Sequence, residues 1–371
     1  MDGTASQEAA PAAFLPETFD FAFYPRVPEL SLELTNLCNL KCPYCANPAL
    51  TRPKGQIGWE LLEKIVEECG REGYNLAWLH GVGEPLLWDR LEEAVALIRR
   101  RGAGRGSFAT NGTLLTAERV RKLLDAGLNS IYVSIDSLDP DIYKATRGGR
   151  LDKVIDNVRT MIEIVPADFM IVIALMNHRD QTIGDRERAR FRELFGDRRN
   201  VHCNIIDNAL MPSAPVDFRA SSDKQQSCTN PSRTLFVDHG GIVALCCADQ
   251  DSLHPIGDLT RQSIKEVWFS QANQVMFRNI ALGINECPEI CTKRCVLHEP
   301  RREPGLIASA GFSLPIAEVQ TLLQRAFDAG NVAAAQDLLE ALSVRNPYDR
   351  TVIDMARSLG VLHEPKPPAT I

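Results

Sequence analysis

The sequence predicts an α/β fold: a partial barrel of six parallel strands, (β/α)6, followed by a small cysteine-rich domain and a C-terminal helical extension. Strand and helix patterns alternate along residues 29–208, and the alternation then stops in a stretch that contains six cysteines. Ala/Leu-rich helical segments follow that stretch. The chain has 371 residues, 44% of them hydrophobic. This length allows two or three units that each bury a core.

Apolar periodicity gives the elements of the barrel. Alternating or continuous apolar runs predict strands at residues 29–35, 76–80, 106–110, 130–136, 169–175 and 201–206. Helical spacing predicts helices at residues 59–68, 90–100, 117–125, 152–164 and 185–195. Thr116 can cap the third helix and Gly127 can end it. Because parallel strands need a helical return, this order predicts one parallel sheet with right-handed crossovers.

Composition shifts divide the chain into four regions. We expect a proline-rich leader (1–28), the barrel (29–208), a cysteine-rich domain (209–305), and a helical extension with a tail (306–371). Helices are expected at 317–329, 332–342 and 349–358. Their spacing is that of a degenerate helical-hairpin repeat. Since about three repeats are needed for independent stability, we expect this extension to pack on the rest of the protein.

The charge balance and the apolar pattern exclude several classes of protein. With 41 bases against 48 acids, the net charge is −7, which argues against a surface that coats nucleic acid. No apolar run approaches the roughly 18 residues of a membrane span. The N-terminus, with Asp2 and Glu8, lacks the basic start of a secretory signal. We therefore expect a cytoplasmic protein, where its eleven cysteines remain reduced and suit metal binding.

The first cysteine group follows the first predicted strand. Cys38, Cys42 and Cys45 form a CxxxCxxC arrangement. A structural zinc site normally has four protein ligands, whereas three thiolates leave one position open, which an iron–sulfur cluster can offer to a substrate. A zinc knuckle and inert thiols are the alternatives on spacing alone.

Residues 38–45, CNLKCPYC, resemble the signature of radical SAM (S-adenosylmethionine) enzymes, and the resemblance extends over about residues 30–208. It implies that the three cysteines bind a [4Fe–4S] cluster whose unligated iron chelates SAM. It places Tyr44 over the site, gives Glu84 the SAM amino group, and pairs Arg147 with the SAM carboxylate. Val82 replaces the first glycine of the GGEP motif of the family. The implied SAM contacts are Tyr44, Gly83, Glu84, Asn111, Ser134, Asp136 and Arg147.

The second cysteine group resembles the auxiliary-cluster domains called SPASM and, in shortened form, twitch. The number of cysteines favours one auxiliary cluster, expected to be [4Fe–4S]. The best ligand set is Cys228, Cys246, Cys291 and Cys295, with Cys287 as a substitute. A zinc site is the alternative, because spacing cannot separate zinc from iron–sulfur. Cys247 and Asp249 are candidates for hydrogen-atom donor and proton acceptor. His80 is a candidate to face the substrate.

These resemblances imply an oxidoreductase that cleaves SAM to a 5′-deoxyadenosyl radical, removes a substrate hydrogen atom, and oxidises the substrate by two electrons through the auxiliary cluster. We expect a sugar or cyclitol alcohol as substrate and a flavodoxin or ferredoxin as reductant, with no nucleic acid or membrane partner. One alternative is a peptide-modifying SPASM enzyme. The other is a metal-bearing scaffold without catalysis.

Overall fold

The parallel sheet that the sequence predicts is present. The computed structural model describes residues 26–178, 180–206, 230–282 and Cys291. The barrel strands are β1 (Glu29–Leu32), β2 (Leu76–Trp78), β3 (Phe108–Thr110), β4 (Ser130–Asp136), β5 (Met170–Met176) and β6 (Val201–Ile206). The helices between them are α1 (Trp59–Glu72), α2 (Leu91–Arg101), α3 (Ala117–Asp125), α4 (Pro140–Arg147), α5 (Leu151–Ile164) and α6 (Gln181–Phe195). The expected partial barrel is confirmed, although α4 was not predicted.

The strands run in chain order and all pair in parallel. β1 pairs with β2, and β3, β4, β5 and β6 form a four-stranded sheet in that order. A single parallel bridge between Trp78 and Ser107 joins the two sheets, supported by Leu79 N–H donating to the Ser107 carbonyl at 2.7 Å. The strands therefore curve as one surface with α1 to α6 on its outer side.

The region after residue 208 was expected to be loop-rich, and here the structure differs. It contains α7 (Asn230–Arg233), β7 (Thr234–Val237), β8 (Ile242–Ala244), β9 (Pro255–Asp258), α8 (Ile264–Trp268) and α9 (Gln271–Leu282). β7 pairs in parallel with β1, while β8 and β9 continue antiparallel. The cysteine-rich region thus extends the sheet of the barrel at its first strand.

The main core lies between the strands and the helices. Leu30, Leu32 and Leu34 of the first strand segment are at most 1% exposed and pack with the apolar face of α1. Leu235 and Val237 of β7 join the same core. Burial of this kind stabilises by roughly 25 cal/mol per Å² of apolar surface. One core therefore supports both cysteine-bearing regions.

The opposite side of the strands forms an inner face. Because side chains alternate along a strand, the strand register brings a second set of residues together on this side. We call this set the inner face: Ser31, Trp78, His80, Ala109, Tyr132, Ser134, Val172, Ala174, His202 and Asn204. Ring contacts support the grouping, since Trp78 lies 5.0 Å from His80 and 4.8 Å from Tyr132 between centroids.

The helical extension predicted at 317–329, 332–342 and 349–358, and the leader at 1–28 up to residue 25, lie outside the described residues.

Candidate functional site

The first three cysteines lie together in the segment that joins β1 to α1. We call residues 36–55 the cysteine loop. Cys42 is buried, Cys38 and Cys45 are half-buried, and all three are free thiols. A turn closed by Cys45 N–H donating to the Cys42 carbonyl at 3.0 Å brings two of them close. Burial raises the pKa of Cys38, and raises that of Cys42 to about 11. Three thiols on one loop are the donor set that a cluster with an open iron requires.

The turn after β2 is fastened to the cysteine loop. Glu84 N–H donates to the Leu37 carbonyl at 2.8 Å, and the Asn47 amide donates to the Val82 carbonyl at 2.6 Å. Gly83 packs directly on the loop backbone, where an added Cβ would lie 2.8 Å from the Leu37 carbonyl oxygen. Only glycine fits this close approach. The family-like motif thus sits beside the cysteines, as its sequence position predicted.

Glu84 is 2% exposed, and both of its carboxylate oxygens accept hydrogen bonds from neighbouring residues. Oε1 accepts from the Thr110 hydroxyl at 2.7 Å and from Leu86 N–H at 3.2 Å, while Oε2 accepts from Asn111 N–H at 2.8 Å. Burial raises the pKa of Glu84. The carboxylate therefore joins the ends of β2 and β3, and its contact with a SAM amino group stays a prediction.

Asn111 ties the end of β3 to the cysteine loop. Its amide donates to Asn39 Oδ1 at 2.9 Å, next to Cys38 in the chain, and its Oδ1 accepts from Thr113 N–H at 3.0 Å. Asn39 in turn donates to the Thr113 hydroxyl at 2.8 Å. The turn after β3 is thereby held against the first cysteine.

A buried group at the end of β4 consists of Tyr44, Asp136 and Arg147. The Arg147 guanidinium forms a bidentate pair with Asp136, with Nε–Oδ2 at 2.7 Å and Nη2–Oδ1 at 2.6 Å. The Tyr44 hydroxyl donates to the same carboxylate. Asp136 has φ of 70°, a left-handed conformation that is uncommon outside glycine. Arg147 also acts on Cys42, whose pKa its charge lowers against the larger effect of burial.

The family resemblance implies that Arg147 binds the SAM carboxylate. In this structure the Arg147 guanidinium binds the Asp136 carboxylate instead. A SAM carboxylate would have to share or replace that partner, so this role stays a prediction. Ser134 lies two residues before Asp136 in the chain and is half-buried on the inner face. Four strand ends, at β1, β2, β3 and β4, therefore converge on the cysteine loop.

The second cysteine group is described in part. Cys246 follows β8 and is buried, Cys247 is exposed, and Cys291 is 5% exposed. Cys228, Cys287 and Cys295 lie outside the described residues, so the ligand set stays a prediction.

Asp249 is 1% exposed and its carboxylate accepts from Leu253 N–H at 2.9 Å and His254 N–H at 2.8 Å. These bonds give Asp249 a structural role in the turn after Cys246. Its proposed action as a proton acceptor is untested.

A buried ionic group beside the cysteine loop was missed by sequence reasoning. Arg52 binds Glu33 with both terminal nitrogens, at 2.7 and 2.8 Å, and His239 Nδ1 lies 3.1 Å from Glu33 Oε1. The sole sequence signal was an acid at residue 33, which alternates with the buried leucines of the first strand. Arg52 and His239 carried no local pattern, because their partners are distant in the chain.

Together the fold and the site define a class: a partial-barrel protein with a three-cysteine loop at the carboxyl ends of its strands. The family model described as the radical SAM superfamily matches residues 32–191, and the model of the SPASM iron–sulfur cluster-binding domain matches residues 228–296. The chain therefore contains a radical SAM domain, of a family of enzymes, followed by a C-terminal SPASM domain. It binds a [4Fe–4S] cluster with SAM and an auxiliary iron–sulfur cluster.

Two curated relatives match parts of the barrel. A probable GTP 3′,8-cyclase of Methanocella arvoryzae is 36% identical over 146 residues, which are 38% of this chain and 46% of that protein. The tungsten-containing aldehyde ferredoxin oxidoreductase cofactor-modifying protein of Pyrococcus furiosus is 33% identical over 110 residues, 29% of this chain and 31% of that protein. The chain thus spans about half or less of the length of these relatives.

Solved structures show the same fold. The structure of anSMEcpe with bound AdoMet has a TM-score of 0.54 at 17% identity and covers 71% of this chain and 85% of that one. SuiB of Streptococcus suis bound to S-adenosylmethionine has a TM-score of 0.52 at 14% identity and covers 75% and 72%. Separately, no helix among the described residues is long and apolar enough to cross a membrane.

Proposed function

We propose that this protein is a radical SAM oxidoreductase that oxidises an uncharged, hydroxyl-bearing small molecule, such as a sugar or cyclitol alcohol, by two electrons. The observation that carries the proposal is the chemistry of the inner face. This face lies next to the strand ends that hold the cysteine loop, where a substrate would have to bind. A flavodoxin or ferredoxin is the proposed reductant.

Aromatic rings and neutral hydrogen-bonding groups line the inner face. Trp78 and Tyr132 are half-buried and meet edge to face, with an interplanar angle of 70°. His202 and Asn204 are exposed on β6, which β5 separates from the strand of Tyr132. Aromatic faces accept the C–H groups of a ring, and the polar groups orient its hydroxyls.

His80 is a neutral donor on this face. Ala109 N–H donates to Nδ1 at 3.2 Å, so the ring proton is on Nε2. Burial lowers the pKa of His80 to about 4, which keeps the imidazole uncharged at neutral pH. An uncharged Nε2–H suits a hydroxyl or carbonyl oxygen of a substrate.

The inner face differs in charge from a site that binds a nucleotide. None of the inner-face residues named above is a lysine or arginine, and a triphosphate normally requires several. Two acids at the same end, Glu33 and Asp136, are each paired with an arginine. This supports an uncharged substrate over the nucleotide named for the cyclase relatives.

When bound, the first cluster with SAM would supply a carbon-centred radical that takes one hydrogen atom, and the auxiliary cluster would accept the second electron as the substrate radical loses a proton. The protein's own part is to hold the substrate and exclude water. His80 and Trp78 would orient the carbinol carbon towards the strand ends. We propose Cys38, Cys42 and Cys45 as ligands of the first cluster. The proposed auxiliary ligands are Cys228, Cys246, Cys291 and Cys295, with Cys287 as a substitute.

The test starts from anaerobic reconstitution with iron and sulfide, followed by dithionite and SAM. Wild-type protein is expected to form 5′-deoxyadenosine and to hold about eight irons, against about four in the Cys38/Cys42/Cys45→Ala variant. Incubation with a panel of cyclitols and monosaccharides is then expected to yield a product two mass units lighter than its substrate. Zinc in both sites without 5′-deoxyadenosine would support the scaffold alternative.

A peptide substrate is the second candidate. Two structures similar in fold contain bound peptides: SuiB with its precursor peptide SuiA, and anSMEcpe with the Cp18Cys peptide. A panel in which only peptides stimulate 5′-deoxyadenosine formation would favour this candidate.

A further inference from the structure

The carboxylate of Asp251 joins the cysteine loop to the second cysteine-bearing region. We call residues 245–254, between β8 and β9, the Cys246 loop. Asp251 of this loop accepts from Thr51 N–H at 2.9 Å, from the Thr51 hydroxyl at 2.7 Å and from Arg52 N–H at 3.0 Å. Arg52 Nε also donates to the Gln250 carbonyl at 2.8 Å. The last residues of the cysteine loop are therefore bound to the loop that follows Cys246.

The Cys246 loop is internally held. Asp249 closes it through Leu253 and His254, and Asp249 N–H donates to the Cys246 carbonyl at 3.0 Å. The Ser252 hydroxyl donates to Asp238 Oδ2 at 2.9 Å. Through Asp249 these bonds link Cys246 to the residues on both sides of Asp251.

On the cysteine loop, the Arg52 side chain is also held in place by hydrogen bonds. The Arg52 side chain is 9% exposed and its bidentate pair with Glu33, which is fully buried, anchors it to the strand that leads to Cys38. Glu33 Oε2 also accepts from Val82 N–H at 3.1 Å, in the turn that carries Glu84. Charge-assisted bidentate bonds are strong and directional. A displacement at Asp251 thus reaches the cysteine loop and the turn that contacts it.

We propose that Asp251 and Arg52 are positioning residues that couple the two cluster sites, so that occupation of the auxiliary site sets the geometry of the cysteine loop and its affinity for SAM. The inference rests on the two-cluster assignment and on Cys246 as an auxiliary ligand, and it is independent of the substrate. By linkage the coupling is reciprocal: SAM at the first site stabilises the loaded auxiliary site by the same factor.

The experiment is a double-mutant cycle on the full-length, reconstituted protein. The variants are Asp251→Ala, Cys246→Ala and the combination. The matched control is Asp258→Ala, since Asp258 likewise accepts from Thr260 N–H at 2.9 Å and from its hydroxyl at 2.6 Å, without contacting the cysteine loop. The readout is the apparent Kd for SAM, from the SAM-dependent change in the electron paramagnetic resonance spectrum of the first cluster. Hydrogen exchange of residues 48–56 is measured in parallel, before reconstitution.

Asp251→Ala is expected to weaken SAM binding about five-fold, the lower end of typical coupling, and to speed exchange in residues 48–56. Asp258→Ala is expected to change neither the Kd for SAM nor the exchange rate of residues 48–56. Cys246→Ala is expected to weaken SAM binding in the wild-type background and to have no further effect beside Asp251→Ala. Additive effects, or equal behaviour of the Asp251 and Asp258 variants, would overturn the coupling.

Two outcomes separate this inference from the ligand assignment. If Cys246→Ala keeps all of its iron, Cys246 is not a ligand and the assignment fails, whatever Asp251 does. If Cys246→Ala does not fold, Asp251→Asn serves instead, because it retains one acceptor oxygen and should give a smaller loss of SAM affinity than Asp251→Ala. Identical SAM affinity in Asp251→Asn, Asp251→Ala and wild type would contradict the proposal.

Discussion

The pKa of the buried Glu33 carboxylate is set by its hydrogen-bonding and charged partners. Burial alone would raise its pKa, but hydrogen bonds from His239 and Arg52 and the charge of Arg52 lower it to about 2 from 4.5. A lowered folded-state pKa means that the ionised form stabilises the fold, on the order of 3 kcal/mol, at pH values above the unfolded pKa. That contribution is lost as pH falls from 4.5 towards 2.

Glu33→Gln is therefore expected to lower the free energy of unfolding at pH 7, because it also leaves Arg52 buried without a counter-ion. The difference between wild type and variant should shrink as pH falls below 4.5. Urea unfolding of the two proteins at pH 7, 5 and 3.5 measures this. A difference that stays constant across the three pH values would argue against an ionised Glu33.

His80 gives a second prediction about a single side chain. We expect a neutral imidazole with the proton on Nε2 from pH 8 down to about 5, because Ala109 N–H occupies Nδ1 and burial keeps the pKa near 4. Nitrogen-15 NMR of histidine-labelled protein reports the tautomer, and His80→Phe identifies the signal by its loss. A signal that titrates near pH 6.5 would contradict the assignment.

The short turn after β2 depends on one glycine. Gly83→Ala would place a methyl group 2.8 Å from the Leu37 carbonyl oxygen, so the turn or the cysteine loop must shift. We expect a cost of about 1–3 kcal/mol and less iron bound at the first site after reconstitution. Gly58→Ala is the control, since Gly58 adjoins the same loop, has an ordinary φ of −70° and has open space around its Cβ position. Equal iron content in the two variants would show that close packing at residue 83 is unimportant.

Sequence reasoning succeeded where local pattern decides an element. Helix α3 and strands β4 and β6 have the predicted limits, and the Thr116 side chain caps α3 as expected by accepting from Arg119 N–H. α4 was missed, although Asp139 caps it and Pro140 begins it. β7, β8 and β9 have only three or four residues each, and β7 and β8 form a hairpin around Gly241. The pairing of β7 with β1 joins segments far apart in the chain, which no local window contains.

In the site, too, features set by local sequence pattern could be predicted, and contacts between distant segments could not. The strand-end motifs were predicted to meet because the carboxyl ends of parallel strands lie at one edge of a sheet, and the turns carrying Glu84 and Asn111 do contact the cysteine loop. The partners of Arg52 could not be predicted, since Glu33, His239 and Asp251 are brought to it only by the complete sheet.

Among the described residues, one core is shared by the barrel and the β7–β9 region. β1 lies between β2 and β7, and Lys64 of α1 donates to the Leu259 carbonyl at 2.6 Å beyond β9. We expect the barrel and the β7–β9 region to unfold in one cooperative transition. Hydrogen exchange in increasing urea should release protection in residues 30–34 and 234–237 at the same concentration. Earlier release of residues 234–237 would show two separate units.

The position of β1 also bears on synthesis of the chain. This strand leaves the ribosome first among the barrel strands, yet one of its two neighbours, β7, is made only after most of the chain. Until then one edge of β1 has unpaired backbone groups, and Arg52 lacks His239 and Asp251. Late pairing of this kind slows folding and leaves an open edge exposed. The nascent cysteine loop is thus incompletely supported, and we expect insertion of the first cluster to follow synthesis of β7 and of residues 239–251.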